Sequence, residues 1–259
     1  MMQTEPVHTF DETLGRVYPI QWMQIGHLHD VPVPLVRVST CGGLQLEVLQ
    51  EVINTDPPLG RYQIVTLEHR PKGSSTGLTL LKVLTSLPEH YALKDWLLEN
   101  VPRTRGSEDE DEEGWGKGLV RIDNVVCLLR GLLCPKGITG GDTLRKKLVI
   151  YIKNHRDSGP SYRLASGPLL WLDVDVIATS IKQAVLLEQQ GKEALSCWEQ
   201  AHAALASKGT YLPDECYSDW AIERHMSVEN VRKKGYQMMS KADTYHSVCL
   251  DRFSGYARE

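Results

Sequence analysis

Between Lys117 and Arg163 the chain carries ten basic residues and three acidic ones, a local charge of +7 in a protein whose formal total is −4. Cations at that density can neutralise a polyanion. Within the stretch, Arg145, Lys146 and Lys147 are consecutive. Just upstream lies the opposite extreme, Glu108-Asp109-Glu110-Asp111-Glu112-Glu113, six acids in a row. Such a run reads first as a solvated loop, and next as a surface for a protein partner.

Catalytic chemistry finds no comparable cluster. No GxSxG, GxxxxGK[ST], HExxH or GxGxxG stands at a suitable strand–helix junction. Gly140-Gly141-Asp142 lacks the lysine of a phosphate-binding loop. Asp173 and Asp175 are two apart at a strand–helix connection, where Asp175 reads as a helix N-cap. His27 and His29 form the one close histidine pair, too few ligands for a metal. The six cysteines include no CxxC pair and read as reduced structural thiols, with Cys127 and Cys134 buried in a helical stretch. A non-enzyme without metal or cofactor is the expectation. No run of 18 apolar residues exists, and the N-terminus has no secretory pattern, so a cytoplasmic protein that contacts no membrane is expected.

At 259 residues, with 41% hydrophobic and 24% charged residues, the chain suits one large domain or two small ones. Leu35–Thr40 and Leu44–Val48 straddle Cys41-Gly42-Gly43 as strands, and 61–66 reads as another. Leu78, Leu80, Leu81, Val83 and Leu84 share one helical face, stopped at Ser86-Leu87-Pro88. Tyr91, Leu93, Trp96, Leu97 and Leu98 predict a second helix, ended by Val101-Pro102. A third runs from about Leu119 to Leu133 on Ile122, Val125, Val126, Leu129, Leu132 and Leu133. Leu148–Ile152 and Tyr162–Leu164 then flank turn-rich Asn154–Pro160 as a hairpin. From Val174 the pattern is helical throughout, with breaks at Gly191, Gly209 and Pro213; Trp198 and Trp220 read as packing between helices.

This order resembles a winged helix-turn-helix of the OmpR type. The whole is similar to the SARP-type bacterial transcriptional regulators, which join that domain to a helical bacterial transcriptional activation domain. The residues that carry the resemblance are LVRVSTCGGLQLEV, LTLLKVLTSL, LKDWLLENV, VVCLLRGLL, SYRL, LDVDV and GTYLPDECYSDWAIERH, spread over about residues 34–240. The resemblance implies an α+β winged helix at 34–170, followed at 171–259 by a shortened all-α TPR-like domain. Residues 1–33 are an extension without assignment.

The resemblance further implies a transcriptional activator that binds double-stranded DNA, with the 119–133 helix in the major groove and the hairpin on an adjacent groove. Arg121, Asn124 and Arg130 are then the outward candidates, because arginine pairs bidentately with guanine and asparagine with adenine. Arg145, Lys146 and Lys147 would meet phosphates. Lys153, His155 and Arg156 would lie at the wing tip, and Arg163 in the SYRL strand, while Tyr162 would pack against the helix. The Glu108–Glu113 loop would be placed to contact RNA polymerase, and the helical domain to dimerise or receive a partner. Leu128 and Gly131 depart from the polar residues usual on the DNA side. They keep open a second expectation, an adaptor built on a winged helix that has lost DNA readout.

Overall fold

The computed structural model describes residues 17–19, 33–55, 58–66, 74–101, 114–134, 141–153, 159–165, 169–207, 209–234 and 237. Two compact units divide the chain: Met1–Val38 with Gln45–Trp171, and Ser39–Leu44 with Leu172–Glu259.

The first unit opens with strands β1 (Val17–Pro19), β2 (Val36–Ser39), β3 (Gln45–Ile53) and β4 (Leu59–Ile64). In β2 and through the first half of β3, alternate residues are buried, the period-2 pattern of a half-buried sheet. β1 runs antiparallel to β3, with Val17 opposite Ile53, so part of the N-terminal extension belongs to this sheet. β4 pairs with the other side of β3, and β8 (Leu170–Leu172) follows β2 in the sheet order. Arg37 stacks its guanidinium 4.0 Å from the centre of the Tyr62 ring, whose hydroxyl donates to Pro34 O at 2.6 Å.

Among the described residues, four helices complete this unit: α1 (Ser74–Ser86), α2 (Lys94–Asn100), α3 (Gly114–Leu133) and α4 (Gly141–Leu148). Leu80, Leu81, Val83 and Leu84 of α1 are buried, as is the whole expected face of α3 from Ile122 to Leu133. Each such leucine contributes about 1.5–3 kcal/mol by leaving water. Gly77 lets α1 and α3 approach closely; a Cβ there would lie 3.2 Å from Leu132 Cδ1 and 3.3 Å from the Leu129 nitrogen.

A second, three-stranded sheet is built from β5 (Tyr91–Leu93), β7 (Ser161–Leu164) and β6 (Val149–Ile152), in that order. Here the structure corrects the expected second helix. Tyr91 and Leu93 are strand residues, opposite Arg163 and Ser161, and the helix starts only at Lys94. The Pro88–His90 turn, with Glu89 and His90 in the left-handed region, breaks the helical path, and the distant β7 supplies the strand's partner. Arg145, Lys146 and Lys147 form the last turn of α4, a helix that the sequence pattern did not mark. Leu144 and Leu148, four apart, anchor that helix, and its terminal cations suit the negative end of the helix dipole.

In the second unit, α5 (Asp173–Gln189) and α6 (Glu193–Ala206) pack as a helical hairpin around Gly191, whose φ is +71°. A further helix, α7, covers 219–234. The short Ser39–Leu44 segment joins these helices through Leu212 N to Thr40 O at 2.9 Å and Gly42 N to Thr210 O at 2.8 Å. Gly209 permits that crossing, since a Cβ would come within 2.8 Å of Gly42 Cα. Asp175 is not the N-cap expected of it: Leu172 holds that position without a side-chain cap hydrogen bond, and Asp173 and Asp175 both lie in the first turn. The Asp173 carboxylate is buried and accepts from Val174 N at 2.9 Å. Trp220 is half-buried, and the Trp198 side chain lies outside the described residues.

Candidate nucleic-acid interface

α3 exposes a narrow row: Asn124, Cys127 and Gly131 are exposed and Leu128 half-buried. Cys127 therefore corrects the expected buried thiol, because residues 125, 126 and 129 take the core side of that turn. Asn124 offers this row its amide, which can donate and accept at once. Arg121 precedes it by one turn of the same helix, with its side chain outside the described residues.

Arg130 occupies a different place. Its Nε and one terminal nitrogen donate to Val149 O at 3.0 and 2.5 Å, so the guanidinium ties the last turns of α3 to the first residue of β6. Sequence alone does not separate that role from base reading, since both need an arginine on the polar side of the helix.

The cations gather on α4. Arg145, Lys146 and Lys147 are exposed; Arg145 meets Asp142 at 3.1 Å in a surface pair one helical turn long. Such a pair contributes little and leaves the cation available. α4 packs against α3 and runs directly into β6, at whose end Lys153 is also exposed. His155 and Arg156 lie outside the described residues, as does the Glu108–Glu113 run. Arg163 is half-buried on the central strand of its sheet, opposite Tyr91 and Ile150, with a buried Nε that meets no hydrogen-bond acceptor. Asn124, the α4 cations and Lys153 are thus the candidates placed at the surface. Among the described residues no three His, Cys, Asp or Glu side chains gather to hold a metal, and no helix is long and apolar enough to cross a membrane.

Behind the row lies a polar cluster that pattern reading did not find. Lys94 Nζ donates to Asp123 Oδ2 at 2.8 Å, and the Tyr162 hydroxyl donates to Asp123 Oδ1. Burial raises the Asp123 carboxyl, but hydrogen bonds from Lys94 and Tyr162, with the charges of Lys94 and Arg130, outweigh it and hold the group below its usual 3.8. Burial and the adjoining carboxylate push the Tyr162 hydroxyl far above its usual value. The sequence hint was an aspartate standing beside Ile122 at the edge of an apolar face.

No protein-family model matches the sequence, and no curated protein matches it. The fold is similar to Mycobacterium tuberculosis EmbR, solved in complex with a low-affinity phosphopeptide. The TM-score is 0.52 and the identity 13%, over 86% of this chain and 51% of that one. The chain thus spans about half the length of that protein. The likeness is one of fold alone, a mixed α/β architecture.

Proposed function

We propose that the chain is a DNA-binding transcriptional activator of the SARP type. In this reading the first unit is a winged helix-turn-helix and the second a shortened TPR-like activation domain. The observation that carries it is the exposed basic turn of α4, set between a helix bearing an outward asparagine and a β-hairpin. The fold likeness to EmbR supports the same assignment.

Arg145, Lys146, Lys147 and Lys153 contact phosphates and orient the unit on the duplex. Asn124 and Arg121 read base edges. His155, Arg156 and Arg163 add further contacts to the DNA. The helical unit dimerises or receives a partner, and the acidic run Glu108–Glu113 meets RNA polymerase. The protein acts in the cytoplasm, as an activator with no chemistry of its own.

One observation favours the adaptor as a second reading. Arg130 is committed to Val149 O, and Cys127 and Gly131 leave the outward row of α3 thin in hydrogen-bonding groups.

Fluorescence anisotropy against fragments of the host's upstream DNA, over a salt series, separates the two. The activator binds a few fragments at nanomolar concentration and weakens with a log–log slope of about −0.9 for each phosphate engaged. Weak binding to every fragment alike, gone near physiological salt, refutes it in favour of the adaptor.

A further inference from the structure

Asp123 and Arg130 stand seven residues apart on α3, two turns of one face, and each ties that helix to a different strand of the hairpin. Asp123 accepts from Tyr162 on β7; Arg130 donates to Val149 O at the start of β6. At 1.5 Å rise per residue the two ties are about 10 Å apart along the helix axis. A rod held at one point pivots, whereas a rod held at two has a direction. The first tie is itself braced. Lys94 opens α2, is buried, and places its ammonium on the second oxygen of Asp123, so that three elements meet at one carboxylate. The Lys94 end of that junction is buried, whereas the Asp123 carboxylate is half-exposed. The hairpin that receives the ties ends in exposed Lys153, and α4 with its three cations enters β6 directly.

We propose that Asp123 is a positioning residue: through Tyr162 and Lys94 it sets the direction of α3 relative to the β6–β7 hairpin. It thereby sets the register between base contacts on α3 and phosphate contacts on α4 and the hairpin. The inference rests on the DNA-binding reading and concerns how that same surface obtains specificity. Non-specific binding uses phosphates alone and tolerates a pivoting helix; specific binding needs both sets of contacts in place together.

Tyr162→Phe tests it in the full chain, because it removes one hydroxyl and leaves the Lys94–Asp123 ion pair and the ring packing intact. Asp123→Asn is the companion variant. The readouts are the affinity ratio of the best fragment to random DNA, the salt slope on random DNA, and amide exchange of the DNA-free protein. The expected result is a fall of about tenfold in the ratio, comparable to one lost base contact, with the random-DNA slope unchanged. Exchange rises in 122–126 and 161–164 but not in α5 or α6. A merely structural role lowers specific and random binding together through loss of folded protein, and that outcome overturns the proposal. So does Tyr162→Phe discriminating as well as the parent, or exchange unchanged across α3 and β7. A parent protein that binds every fragment alike refutes the DNA reading itself and the register claim with it.

Discussion

Asp173→Ala should cost the second unit several kcal/mol, although pattern marks it only as one of two aspartates at a strand–helix connection. The carboxylate is 3% exposed and accepts four hydrogen bonds: Thr40 N at 2.6 Å, Thr40 Oγ1 at 2.7 Å, Cys41 N at 2.9 Å and Val174 N at 2.9 Å. Thr40 is itself fully buried, so its two donors have no water to turn to. Each buried donor left unmade costs about 1–3 kcal/mol, and removing a desolvated carboxylate returns part of that. The net is about 2–4 kcal/mol. Urea denaturation of the full chain, followed by tryptophan fluorescence and fitted with separate transitions for the two units, measures it. Amide exchange should rise in 39–44, the segment that Asp173 fastens to its unit. Asp173→Asn should lose nearly as much, because its amide presents a donor to a donor on one side. A loss under about 1 kcal/mol, with exchange at 39–44 unchanged, would refute the reasoning, since it would mean the Thr40 donors find other acceptors.

Four further outcomes are expected. Lys146→Ala with Lys147→Ala should weaken binding to all DNA sequences alike and make the salt slope shallower by about 1.8, two phosphates' worth, in anisotropy titrations. Asn124→Ala should relax preference at one base pair by about 1–3 kcal/mol in a randomised-site selection, leaving the salt slope unchanged. The depressed Asp123 carboxyl stabilises the folded state above its unfolded value near 3.8, and that stabilisation is lost as pH falls through the lower folded value. Acid titration of the first unit's unfolding should show this slope below about pH 4, flattened in Asp123→Asn. Burial, then the Asp173 charge and hydrogen bond, push the Cys41 thiol from 9.0 up to about 12. Its contribution to stability is therefore complete below pH 9 and lost as pH rises beyond it; at pH 8 iodoacetamide should label exposed Cys127 well before Cys41, followed by peptide mass mapping.

Much of the helical framework was legible because its signals are local. The 3.6-residue spacing of Leu80, Leu81 and Leu84, and of Ile122, Val126, Leu129 and Leu133, marks the buried faces by itself, and all are buried. The alternation in 44–48 marks β3 in the same way, and the basic excess around 145–147 marks an exposed surface. What tertiary structure decided are the features whose cause lies far along the chain. Tyr91–Leu93 carries enough apolar residues to read as helix, and becomes a strand because β7, seventy residues on, offers a ladder. Whether Arg130 faces solvent or a carbonyl depends on where the hairpin begins, which no helical period contains. Asp123 and Asp173 look alike in sequence. One becomes the meeting point of α2, α3 and β7, the other the anchor of a segment 133 residues away. Periodicity reports which side of an element is apolar; the partner of a buried polar group is chosen only when distant segments meet, because an unpaired buried charge or donor costs too much to leave unmade.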